Sequence, residues 1–119
     1  MDIAGGERPS TDILIVGDPT IKESFGVDHG IAGQSNLLGA VEAGLGGCMI
    51  GSAKGDALAV ALGIPERFQI LLVITLEKPV ETGMIESVEP GEDLIYYRDE
   101  NDVHHVPKRG LDELILHEV

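Results

Sequence analysis

Apolar residues along this chain come in blocks with two different periods. Ile13, Leu14, Ile15 and Val16 follow one another without a break. An uninterrupted run of that length suits a strand buried on both faces, so a strand is predicted over Asp12–Val16. Gly17-Asp18-Pro19 ends it, and Thr20 to Val27 is a connector. A second such run, Ile70 to Ile74, forms the centre of a strand predicted over Phe68–Leu76, which Lys78-Pro79 terminates. Between them Ile31, Leu37, Leu38, Val41 and Leu45 recur at roughly helical spacing, which predicts a helix over Asp28–Ala43 packed on the two strands. Asp28 is placed to accept from the free N–H groups of the first turn. Gly44 stands where a helix needs a left-handed terminator. Leu45-Gly46-Gly47 then turns the chain, Cys48-Met49-Ile50 reads as a short buried strand, and Gly51-Ser52 leaves backbone N–H groups exposed. A second helix is expected over Lys54–Leu62, closed by Gly63 and kept closed by Pro65.

The polar stretches are turns and loops in this reading. Met1 to Ser10 is a loop, and Glu81 to Asp93 is an extended acidic loop. Ile95–Arg98 and Val103–Val106 pair as a hairpin across Asp99-Glu100-Asn101-Asp102. Leu111 to Leu116 forms a short terminal helix or arm. There is no internal repeat. Strands alternating with helices and then a hairpin favour an α+β or α/β layered fold. A length of 119 residues predicts one domain over residues 1–119.

Charge narrows the partners. With 21 acidic residues against eight Lys and Arg, the net charge is −13, which argues against broad contact with nucleic acid or an anionic membrane. Only Phe25, Phe68, Tyr96 and Tyr97 are aromatic, so little stacking surface exists for bases. Cys48 is the sole cysteine, which fits a reducing compartment; its apolar neighbours predict a buried, inert side chain. The opening MDIAGGERPST lacks the pattern of a signal peptide, and Ile70–Ile74 is too short to span a bilayer. A soluble, acidic, cytoplasmic protein is expected.

Several familiar chemistries are absent. A dinucleotide fingerprint needs G-x-G-x-x-G between a strand and a helix, but Gly44 and Gly46 follow a helix and Met49 stands in the third glycine's place. Gly46 to Gly51 has the opening spacing of a phosphate loop, yet Ser52-Ala53 separates it from Lys54. His104 and His105 are adjacent, so in a strand their rings point to opposite faces and do not share a metal; no metal site is expected. Ser24, Ser35, Ser52 and Ser87 lack a nucleophile-elbow context, and no catalytic constellation is legible. Lys108-Arg109 is the one adjacent cationic pair. A rigid Pro107 before it and a flexible Gly110 after it would present both side chains from a loop. Arg offers a planar fork to a phosphate and Lys a point charge.

The order of these features resembles the nitroreductase family. Asp28-x-Gly30-x-Ala32-x-Gln34-Ser35, Leu37-Leu38, Ala40, Gly44-Leu45-Gly46, Met49-Ile50-Gly51 and Leu62-Gly63-Ile64-Pro65 are similar to the second half of such proteins. The apolar strand Ile70–Leu76 with its Lys78-Pro79 exit resembles the family's strand. The ending Val103-His104-His105-Val106-Pro107-Lys108-Arg109 looks like the closing segment of one subgroup. The family's Arg-rich opening segment has no counterpart here, so the resemblance implies an α+β, nitroreductase-like layered fold that is N-terminally truncated. It also implies a homodimer that binds FMN and passes electrons from NAD(P)H to a nitro compound, quinone or similar small-molecule acceptor. Carried over by position, Met49, Ile50, Gly51 and Ser52 would lie against the flavin ring, and Lys108 and Arg109 would meet the FMN phosphate. The alternative is a non-catalytic, truncated relative that associates with itself or with a partner.

Overall fold

The computed structural model describes residues 11–116, which divide into two compact units, one ending at Pro79 and the other starting at Val80. Both mix helix and strand, an α+β composition.

In the first unit the chain runs β1 (Thr11–Gly17), α1 (Asp28–Glu42), β2 (Gly46–Ile50), α2 (Gly55–Leu62) and β3 (Gln69–Glu77). The longest apolar run becomes the middle of the sheet: β3 lies between β1 and β2 and is antiparallel to both. The register sets Ile13 and Met49 on either side of Ile74, with Ile15 beside Leu72. Directly opposed side chains share a face, so these residues form one apolar row. Helix α1 lies on that row, and it does so through Gly33. A Cβ at Gly33 would come within 2.7 Å of the Leu72 side chain and 3.0 Å of Met49. The result is a small, tight centre in which Ile74 is fully enclosed and Val73 and Ala40 are buried. Enclosing an isoleucine in this way stabilises by about 1.5–3 kcal/mol.

Several sequence expectations change here. Strand β1 is an edge strand whose Ile13, Leu14 and Ile15 are only half-buried and whose Val16 is exposed; burial on both faces applies to the middle of β3. Val27, not Asp28, occupies the N-cap position of α1, without a side-chain cap. Asp28 is the first helical residue and pairs with Lys22 at 3.2 Å, where its charge still suits the helix N-terminus. Close packing of α1 selects small residues, so Gly33 and Ala40 face inward while Ile31, Leu38 and Val41 are left exposed. Gly46 and Gly47 belong to β2 and do not form a turn. Gly47 must lack a side chain, because a Cβ would meet the Thr75 carbonyl oxygen at 2.8 Å and the Leu37 and Leu76 side chains at 2.7 and 2.6 Å. Gly47 and Met49 point towards α1, so alternation sends Cys48 to the other face. Cys48 is exposed, which corrects the expectation that it is buried. The expected glycine terminators hold: Gly44 and Gly63 adopt positive φ of 80° and 67°.

The second unit contains β4 (Thr82–Val88), β5 (Tyr97–Arg98), β6 (Val103–Arg109) and α3 (Leu111–Leu114). The hairpin expected over Ile95–Arg98 and Val103–Val106 forms, with its first strand shortened to Tyr97–Arg98. Strand β4 was not expected: it occupies most of the stretch read as an acidic loop and pairs with β6 in parallel. Gly83 and the weak polar alternation hide it from any local pattern; a partner twenty-one residues away makes it a strand. Strand β6 is also longer than expected, running through Pro107 to Arg109. Strand β5 pairs only with His104 and His105, so at Pro107 the middle strand has a neighbour on the β4 side alone. A proline without an N–H is tolerated in such a place. The loop expected over residues 1–10 lies outside the described residues.

Candidate functional site

Met49, Ile50, Gly51 and Ser52 form the exit from β2 in the first unit. Ladder pairing to β3 holds Met49 opposite Ile74 and Ile50 opposite Val73, and both side chains are half-buried. Beyond Ile50 the ladder stops, and Gly51 and Ser52 lie exposed in a bend. A Cβ at Gly51 would meet nothing within 4 Å, so the backbone there is open to approach. Met49 packs towards α1, so alternation turns Ile50 to the other face of the sheet, and what the segment offers to a ligand is Ile50 followed by accessible main chain.

Lys108 and Arg109 lie in the second unit. They are not in a loop: they close β6, opposite Ser87 and Val88 of β4. Strand alternation turns them to opposite faces. Arg109 Nε stands 3.7 Å from Glu113 Oε1, one turn into α3, so part of its charge is already answered. Lys108 is exposed.

The densest polar cluster is elsewhere in the second unit, at residues no motif marked. His105 lies between two carboxylates. Its Nε2 is 2.8 Å from Asp99 Oδ2 in the β5–β6 turn, and its Nδ1 meets Glu86 Oε1 of β4. Tyr97 of β5 stacks on the His105 ring, with centroids 4.7 Å apart and planes 2° from parallel. Its hydroxyl donates to Glu86 Oε2 at 3.3 Å. Asp99 also shapes the turn, since its Oδ1 accepts from the Asn101 and Val103 N–H groups at 2.8 and 3.1 Å. Its hydrogen bond from His105, then that from Val103, holds Asp99 below the usual carboxylate value. The hydrogen bonds to Asp99 and then Glu86 raise His105 above the usual histidine value. His104 points the other way, as adjacent strand residues must. Its ring is edge-on to Tyr96 at 5.3 Å and stands 3.6 Å from Glu81. On that face Arg98 bridges Glu81 at 2.8 Å and Asp102 at 3.1 Å. The signal for the cluster was available in the hairpin: a two-strand register across the 99–102 turn sets Tyr97 opposite His105.

Among the described residues, no group of three or more His, Cys, Asp and Glu side chains is placed to hold a metal, and no helix is long and apolar enough to cross a membrane.

The family model described as the nitroreductase family matches residues 12–76, more than half of the chain. The chain belongs to the nitroreductase family. That family is one of oxidoreductases. The match covers β1 through most of β3 and contains Met49–Ser52. It stops before the second unit, so the closing segment with Lys108 and Arg109 lies outside it. The matched span is the N-terminal part of this chain, and the resemblance of the closing segment up to Arg109 is not part of the match.

Proposed function

We propose that this chain is an FMN-dependent oxidoreductase of the nitroreductase type, passing electrons from NAD(P)H to a nitro compound, quinone or similar small acceptor. The observation that carries the reading is the family match over residues 12–76 with Met49–Ser52 inside it. In kind, the residues fit a flavin. Ile50 gives an apolar contact for a flat ring, with Met49 supporting the strand from the α1 side, and the open backbone at Gly51 and Ser52 gives hydrogen-bonding groups for its polar edge. Lys108 and Arg109 are the proposed phosphate contacts. A bound flavin supplies the hydride chemistry, while the protein binds and orients it. Hydride transfer on a flavin requires no protein acid or base. The reading takes residues 1–119 as one functional domain of a cytoplasmic homodimer. The exposed Ile31, Leu38 and Val41 of α1 support self-association, since apolar surface of this kind marks contact sites.

Two observations favour a second reading, a non-catalytic relative that binds itself or a partner. Arg109 is already paired with Glu113, and a net charge of −13 repels a phosphate dianion. Titration with FMN and with riboflavin separates the two. On the first reading the protein turns yellow with FMN. Replacing Lys108 and Arg109 by Ala weakens FMN far more than riboflavin, and added salt shrinks that difference. Gly51→Leu weakens both flavins by covering the backbone. Protein that stays colourless after FMN is added and the excess removed supports the second reading. Equal losses of FMN and riboflavin in the double variant remove Lys108 and Arg109 from the site.

A further inference from the structure

We propose that His105 is a proton-operated clasp of the second unit: protonated, it ties β4 to the β5–β6 turn, and once deprotonated it holds only one of them. The geometry carries this. Each ring nitrogen faces a carboxylate oxygen, Nδ1 that of Glu86 and Nε2 that of Asp99. A carboxylate can only accept, so both contacts are hydrogen bonds only when both nitrogens carry a proton. Neutral imidazole has a single N–H, and its remaining lone pair must then face the other carboxylate. The two carboxylates favour the charged form and outweigh the burial of the ring, which opposes it. Glu86 comes from β4, Asp99 from the turn, and Tyr97 from β5 stacks on the ring and donates to Glu86. Glu81, Arg98, Asp102 and His104 stand on the opposite face of the sheet. Asp99 is tethered to its own turn by two backbone N–H groups, so it stays in place when a proton is lost. Glu86 has no backbone tether and keeps only the longer bond from the Tyr97 hydroxyl at 3.3 Å, so β4 is the arm that loosens. The upward shift of His105 agrees with this and sets the window: the clasp is closed below 6.5 and opens as pH rises through a higher value.

The test is NMR of the full chain across pH, reading the His105 imidazole and the exchange of β4 amides relative to β3 amides. The expected result is a His105 midpoint above 6.5 and a several-fold loss of β4 protection over that same titration, with β3 unaffected. His105→Gln should remove the pH step. Glu86→Gln should lower the His105 midpoint; it keeps the strand sequence otherwise intact and serves if His105→Gln fails to fold. A midpoint at or below 6.5, β4 protection unchanged through the His105 titration, or a midpoint unmoved in Glu86→Gln would each overturn the clasp.

Discussion

Both sheets of this protein have three strands, and they are held together by different means. The first is built on aliphatic packing: β3 is flanked on both sides, α1 covers a row that includes Ile74, and glycines at 33 and 47 let the layers close. In the second, Pro107 is the only buried residue among those described. Its strands are joined by an ion-paired histidine, a stacked tyrosine and a turn organised by one aspartate. Packing of the first kind has no acid or base to titrate. The second kind depends on proton occupancy at a few atoms. Two sheets of similar size in one chain should therefore respond in opposite ways to core truncation and to pH.

The largest effect should come from the centre of the first sheet. Ile74→Ala removes a fully enclosed side chain and should cost about 2–5 kcal/mol, read by denaturant unfolding. Val106→Ala in the second sheet, half-buried, should cost clearly less; equal costs would mean that the second sheet has an apolar core after all. Next come the two close glycines. Gly47→Ala meets a backbone oxygen, which cannot yield, whereas Gly33→Ala meets the ends of Leu72 and Met49, which can rotate. Both are overpacking changes of about 1–3 kcal/mol, with Gly47 expected at the upper end.

The pH response should sharpen the contrast. His105 is raised, so its contribution is fully present below the unfolded value of 6.5 and is lost as pH rises through the folded value. Tyr97 is raised as well, by desolvation and then by Glu86, and its contribution is lost on the same, alkaline side. Asp99 is lowered, so its contribution is present above 3.8 and disappears as pH falls through its folded value. Amide exchange should then show the second sheet losing protection at both ends of the pH scale. In the turn that follows β1, Asp18 is lowered by its hydrogen bonds from Thr20, which gives the first unit an acid limb only. An alkaline limb of equal size in both sheets would break the comparison. The smallest effect is expected at the exposed face of α1. Val41→Ser should change stability by less than about 0.5 kcal/mol in the separated chain. Light scattering should nevertheless detect weaker self-association if that face joins two copies.

The same contrast explains what could be read from the amino acids. The aliphatic sheet announced itself through Ile13–Val16, Ile70–Ile74 and the glycine terminators Gly44 and Gly63, because packing and helix ends leave local signatures. Strand β4 left none, since a parallel partner twenty-one residues away supplies what Gly83 and Glu86 do not. The His105 cluster was hidden for the same reason: its partners are on two other segments, and spacing along one strand said only that His104 and His105 face opposite ways. Gly51-Ser52 was legible as an exposed turn, but the strand before it is half-buried to exposed and not buried, because it lies at the edge of its sheet. Lys108-Arg109 was legible as a cationic pair but not as the end of a strand, because Pro107 and Gly110 suggested a loop.

The parallel pairing of β4 with β6 has a bearing on the order in which the second sheet is made. Tyr97 finds His105 and Arg98 finds His104 across a four-residue turn, so this hairpin closes a short loop that Asp99 preorganises. Every β4–β6 pair must close a loop of about twenty-one residues, at a higher entropic cost, and the imidazole that Glu86 needs reaches its place only after the hairpin exists. Strand β4 is therefore the last to dock and the first to leave. Pulse-labelled exchange during refolding should find the hairpin amides protected before those of Thr82–Val88.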